Sequence, residues 1–237
     1  MCRPISRWPL LELFILDKCW IGRNDLPTLK RGVLTSSECL RSVRLNRFTH
    51  PAALASFLSG LPTTLTYLDL DDDEFYNNPG FRSCLAEYLA RPQLRLLQLR
   101  IGETLSFDDP DEEDTSRSSQ WDNPIAGLAD LQRLTINPSG LANLSGSLGS
   151  LAHLTALTLT QDSVEPEPVL AAGEVAALVM RSRSLRSVYV ARRIWRKWSV
   201  AELDELRRLA GPGQAVISLE GEGREAIWDD DEASSGE

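Results

Sequence analysis

One template recurs along this chain and dictates what it can fold into. The stretch LTYLDLDDD (65–73) places Leu65, Leu68 and Leu70 as L-x-x-L-x-L. The same spacing returns at Leu94, Leu97, Leu99, at Leu131, Leu134, Ile136, at Leu154, Leu157, Leu159 and at Leu185, Val188, Val190. Upstream, Leu11, Phe14, Leu16 and Leu40, Val43, Leu45 fit it; downstream, Ile217 and Leu219 fit with Gln214 in the first slot. The middle residue of each copy serves as its anchor. The anchors 14, 43, 68, 97, 134, 157, 188 and 217 are separated by 29, 25, 29, 37, 23, 31 and 29 residues, a mean of 29. Leucine supplies 39 of the 237 residues, which is what eight such copies demand.

A period of this length means stacked supersecondary units. In a strand, side chains alternate faces, so the anchor and the residue two later point the same way. One unit cannot bury that pair alone, and neighbours must stack to form a continuous core. Leu68, Leu70, Leu97, Leu99, Leu134, Leu157 and Leu159 are therefore expected to be buried. The intervening segments carry helical patterns. PAALASFLSGL (51–61) and GFRSCLAEYLAR (80–91) space apolar residues by three and four, and 168–182 opens on a proline and runs alanine-rich. Ser199 to Glu202 has capping-box spacing, LDELRRL follows, and Gly211-Pro212-Gly213 ends that helix.

This pattern resembles the leucine-rich-repeat family, and the long units look like its ribonuclease-inhibitor-like subclass. The resemblance runs from about Trp8 to Glu222 and implies an α/β solenoid of about eight strand-helix units with a parallel concave sheet. The slot where the family favours Asn or Cys holds Cys19, Phe48, Asp73, Gly102, Ser139, Asp162, Arg193 and Glu222, so uneven curvature is expected. In texture (PTTLTYLDL, QLRLLQLR, SLRSVYV) the chain most resembles the repeat region of F-box leucine-rich-repeat proteins. The F-box itself has no room before a pattern that starts at residue 11.

The domain reading is a solenoid over 1–222, with an acidic insertion at about 103–123, followed by an acidic tail at 223–237. The insertion carries eight acids and one base; Ser106 and Ser119 each precede an acid by three residues, although a plain solvated loop is the simpler reading. Residues 220–237 again hold eight acids and one base, whereas 181–208 holds nine bases and three acids. The net charge of −9 therefore sits in two segments, and the body is close to neutral. That balance argues against a nucleic-acid or anionic-membrane partner. No apolar run approaches the ~18 residues of a spanning helix. The four cysteines, Cys2, Cys19, Cys39 and Cys84, lack metal-site spacing and read as reduced thiols of a cytoplasmic or nuclear protein.

Catalytic motifs are missing. The sequence has 2 His, no phosphate loop, no nucleophile elbow and no HExxH pair, so no enzyme activity, cofactor, metal or small-molecule substrate is expected. GEGREA (221–226) superficially matches a dinucleotide fingerprint but has no βαβ unit after it. RRIWRKW interleaves Arg192, Arg193, Arg196 and Lys197 with Trp195 and Trp198. That chemistry suits phosphate contact with stacking, but tryptophans packing the solenoid end explain it more simply.

Strand geometry puts the residues one before, one after and three after each anchor on the concave face. These are Leu13, Ile15, Asp17; Ser42, Arg44, Asn46; Tyr67, Asp69, Asp71; Leu96, Gln98, Arg100; Arg133, Thr135, Asn137; Ala156, Thr158, Thr160; and Ser187, Tyr189, Ala191. Arg44, Tyr67, Asp69, Asp71, Gln98, Arg100, Arg133 and Tyr189 form the candidate partner-binding set, because Tyr and Arg make good interface anchors. With strands about 4.8 Å apart, Arg44 is expected beside Asp69 and Asp71 beside Arg100. The resemblance implies a non-enzymatic protein-interaction scaffold, with the substrate-reading region of an F-box-type ubiquitin ligase receptor as its specific form. A regulatory leucine-rich-repeat protein of GTPase-activating type is the alternative. Leu13 and Ile15 predict an apolar N-terminal end.

Overall fold

The computed structural model describes residues 11–17, 39–46, 57–71, 79–102, 122–138, 141, 144–160, 170–209 and 215–221. Within them lie strands β1 (Leu13–Asp17), β2 (Ser42–Asn46), β3 (Tyr67–Asp71), β4 (Gln98–Ile101), β5 (Arg133–Ile136), β6 (Ala156–Leu159), β7 (Ser187–Val190) and β8 (Val216–Leu219). Helices α1 (Pro79–Leu89), α2 (Asp122–Ala126), α3 (Leu144–Leu148), α4 (Ala172–Arg181), α5 (Arg192–Trp195) and α6 (Val200–Leu209) alternate with them. The strands form one sheet in strict sequence order, β1 to β8, and every pairing is parallel. This is an α/β leucine-rich-repeat solenoid. Residues 103–121 of the acidic insertion lie outside the described residues, as does the tail from 222; Asp122 and Asn123 open α2.

The register aligns Phe14, Val43, Leu68, Leu99, Leu134, Leu157, Val188 and Ile217 in one inward row. A second row runs from Leu16 through Leu45, Leu70, Ile101, Ile136, Leu159 and Val190 to Leu219. The interior members of both rows are buried, whereas Leu16, Ile217 and Leu219 at the two ends are only partly covered. Each covered leucine contributes about 1.5–3 kcal/mol of apolar burial.

The fourth repeat corrects the sequence reading. Its anchor is Leu99, not Leu97, and its template is Leu96, Leu99, Ile101, all at 3% exposure or less. Leu97 is half-buried and occupies a backbone role instead. In the second to seventh repeats, the residue two before the anchor donates its N–H back to the equivalent carbonyl of the preceding repeat. The series runs Arg41 to Glu12, Thr66 to Arg41, Leu97 to Thr66, Gln132 to Leu97, Thr155 to Gln132 and Arg186 to Thr155, at 2.8–2.9 Å. Leu97 thus stands where other repeats place Arg, Thr and Gln. Leu96, expected on the concave face, is a core residue.

On the outer side, α2 packs on α3, α3 on α4 and α4 on α6. The capping box forms as expected. Ser199 Oγ accepts from the Glu202 N–H, and Glu202 Oε2 accepts from the Ser199 N–H at 2.8 Å. Buried Tyr88 on α1 donates to the Pro62 carbonyl at 3.0 Å. Arg91 lies over the Tyr88 ring and donates to the Ser59 and Leu61 carbonyls, tying the helical turn at 57–59 to the next unit.

Candidate functional site on the concave sheet

The pleat leaves two outward rows on the sheet. The residues before the anchors give Leu13, Ser42, Tyr67, Gln98, Arg133, Ala156, Ser187 and Val216; those after give Ile15, Arg44, Asp69, Arg100, Thr135, Thr158, Tyr189 and Ser218. The third row expected from sequence turns inward on β5 and β7, where Asn137 and Ala191 are buried. The strands end at Ile136 and Val190, and the chain bends toward the helices there.

The shift of β4 changes the electrostatics of the centre. Arg100 sits across from Asp69, not Asp71, so Asp69 has an arginine on each flanking strand. Arg44 Nε lies 3.3 Å and Arg100 Nε 3.7 Å from the Asp69 carboxylate, and the Tyr67 hydroxyl donates to it at 2.9 Å. Asp69 is 1% exposed, whereas the two arginine side chains are 41% and 40% exposed. A buried carboxylate is costly unless paired and hydrogen-bonded; the two arginines supply ion pairing and Tyr67 a hydrogen bond to Oδ2. Burial, then the bond to Asp69, pushes the Tyr67 phenol above its ordinary value. Asp69 therefore organises this part of the face, drawing Arg44 and Arg100 from the two flanking strands toward one point.

Beside this group lies a cleft of about 240 Å³ lined by Tyr67, Gln98, Arg100, Arg133, Thr135 and Thr158, with Leu99 and Leu134 among its walls. Arg133 is exposed and is flanked in register by Gln98 and Ala156. Tyr189 stands two strands further on at 39% exposure, its phenol raised by burial and then by Glu220. The Asp71 side chain lies outside the described residues. Leu13 and Ile15 are exposed at 52% and 51% on β1.

The basic-aromatic segment is divided by the fold. Trp198 is buried and donates its indole N–H to the Leu170 carbonyl, so it offers no stacking surface. Trp195 is half-buried and donates to the Glu220 carbonyl at 3.0 Å, while the Arg192 N–H donates to the Glu220 carboxylate. Arg193, on α5, and Arg196 and Lys197, in the turn after it, are all exposed. The opposite charges of 181–208 and 220–237 point to docking of the acidic segment on this basic one, and Glu220, the first residue of that segment, makes the contact.

Among the described residues no group of three or more His, Cys, Asp or Glu could hold a metal ion, and no helix is long and apolar enough to cross a membrane. Cys39 and Cys84 are free thiols; Cys2 and Cys19 lie outside the described residues. No protein-family model matches the sequence, and no curated protein matches it. Among solved structures it is similar to the leucine-rich-repeat-containing protein LegL7 from Legionella pneumophila. The identity is 16% and the TM-score 0.39, over 84% of this chain and 69% of that one. The assignment of the solenoid rests on the strand ladder itself.

Proposed function

We propose that this chain is a non-enzymatic protein-interaction scaffold that reads a partner protein on its concave sheet. The observation that carries this reading is the central face of β2 to β5. Arg44, Arg100, Arg133, Tyr67 and Gln98 are displayed there on a rigid parallel sheet, and one buried carboxylate holds two of the arginines in place. Exposed Arg and Tyr on a preorganised surface are what strong interface anchors require. The more specific form of the proposal is the substrate-recognition region of an F-box-type ubiquitin ligase receptor in the cytoplasm or nucleus. The repeat textures PTTLTYLDL, QLRLLQLR and SLRSVYV support it.

The test is affinity purification from the native cell with mass spectrometry. Wild type is compared with a variant carrying Gln98→Ala, Thr158→Ala and Tyr189→Ala, three positions on the outward rows. Partners retained by wild type and lost by the variant support the scaffold. Identical capture by both overturns it. A cullin-ligase adaptor co-purifying with the full protein supports the specific form, and its absence from every capture overturns that form alone.

A further inference from the structure

We propose that residues 224–228 fold back antiparallel along the outer edge of β8 and close the solenoid with a ninth strand supplied by the chain itself. The inference goes beyond the scaffold reading and concerns the β8 end of the sheet.

Among the described residues β8 has one partner strand, β7. The Val216 and Glu220 N–H groups donate across that pairing to the carbonyls of Arg186 and Val190, at 2.8 and 3.0 Å. Successive N–H groups of a strand point to opposite sides, so those of Ile217 and Leu219 point to the outer edge. Native proteins pair or cover an edge of this kind. The side chains of β8 are as incomplete as its backbone. Val216 is 66% exposed, and Ile217 and Leu219 are only partly covered, whereas Val188 and Val190 on β7 are at 0%.

The following residues fit this edge. Glu220 is fixed by the Arg192 N–H on its carboxylate and the Trp195 indole on its carbonyl. Gly221 has a φ of +75°, a left-handed conformation suited to turning the chain. Gly223 comes next but one, so 220–223 has the length and composition of a four-residue hairpin loop. That loop sets Leu219 opposite Arg224, Ser218 opposite Glu225, Ile217 opposite Ala226 and Val216 opposite Ile227. Ile217 and Leu219, whose N–H groups point to the edge, then form the hydrogen-bonded pairs. Val216 and Ile227 form a non-hydrogen-bonded pair, about 4.5 Å apart at Cα, where apolar side chains meet closely. Ala226 extends the inward row of Val188 and Ile217, and the Arg224 stem covers Leu219. A three-residue loop would set Glu225 against Ile217, and a five-residue loop would set it against Leu219; either puts a carboxylate on an inward row. Beyond Trp228 the antiparallel path carries Asp229, Asp230, Asp231 and Glu232 toward the end of the sheet where exposed Arg183 and Arg186 precede β7.

The test is residue-resolved amide hydrogen exchange by heteronuclear NMR on the full chain. The Arg224 and Ala226 amides are expected to exchange slowly and those of Glu225 and Ile227 fast, because the latter two face away from β8. The Ile217 and Leu219 amides are expected to be slow as well. Two proline variants check the register. Ala226→Pro removes a bonded donor and should speed exchange at Ile217, Leu219 and Arg224 about tenfold, whereas Glu225→Pro removes an outward donor and should leave them slow. Both substitutions lie beyond Gly221, and unchanged amides on β6 confirm that the repeats stay folded. Fast exchange throughout 224–228, the opposite alternation, or equal effects of the two prolines overturns the inference. So does slow exchange at Ile217 and Leu219 after deletion of 223–237, since another segment then covers the edge. Protection that grows with protein concentration overturns it too, because the added strand then comes from a second copy.

Discussion

The Arg100 guanidinium lies 3.7 Å from the Asp69 carboxylate, directly across the β3–β4 pair. Together with Arg44 at 3.3 Å, it makes Asp69 the centre of a cation–anion–cation row that crosses three strands. Asp69→Ala removes the acceptor of the Tyr67 hydroxyl and leaves two guanidinia facing each other. Both arginines are about 40% exposed and can rehydrate, so the expected cost is about 1–3 kcal/mol, the range for a lost buried hydrogen-bonded group. Urea denaturation of the variant measures it; a cost near zero would show that the row does not organise the face.

The register of the fourth repeat has a direct thermodynamic test. Leu99 is 2% exposed in the anchor row, and Leu99→Ala should cost about 2–5 kcal/mol. Leu97 is half-buried, and Leu97→Ala should cost less than half as much. Urea midpoints of the two variants side by side decide the matter. The reverse order would restore the anchor at Leu97.

Alkaline pH should loosen the fold through Tyr88. Burial pushes its phenol well above the ordinary value of 10.0, with Arg91 opposing. The neutral form is the one the fold favours. Its contribution is therefore complete below the ordinary tyrosine value and falls as pH rises from there toward the folded value. The urea midpoint, followed from pH 8 to 11.5, should drop more steeply in wild type than in Tyr88→Phe. Parallel curves would assign the alkaline loss to other groups.

At the acid end the capping box supplies the opposite sign. Hydrogen bonds from the Ser199 N–H and then its hydroxyl hold the Glu202 carboxyl below its ordinary value. Its contribution is present above the ordinary value of 4.5 and is lost as pH falls through the folded one. Ser199→Ala should lower the melting temperature at pH 7 and flatten its decline below pH 4.5. An unchanged acid limb would mean that the pair does not couple to folding.

Most of the solenoid was legible because the template reports on burial directly. Leu65, Leu68 and Leu70, like Leu154, Leu157 and Leu159, have polar or small neighbours that admit one register. Between 94 and 101, Leu94, Leu96, Leu97, Leu99 and Ile101 admit two, and apolar spacing cannot choose between them. The choice is made by the backbone ladder, in which Leu97 must bond Thr66 and accept from Gln132. The candidate site inherited that ambiguity. Its residues were identifiable one by one, but the convergence of Arg44 and Arg100 on Asp69 exists only in the true register. Helices α2 and α3, with sequences DNPIA and LSGSL, are too short to show a helical period. The bond between Trp195 and Glu220 joins residues 25 apart and leaves no local signal.

The strict neighbour order of the sheet also determines how the molecule would yield to force. Among the described residues no strand bonds to any but its sequence neighbours, so tension across the sheet meets no long-range clamp there. The described ends are unequal. Among the described side chains of β1 only Phe14 is buried, whereas β8 buries none of its own but has Trp195 and Arg192 bonded to Glu220 at its end. Pulled apart, such a chain opens like a zipper, one tooth at a time, with every repeat under the same tension and the weakest junction parting first.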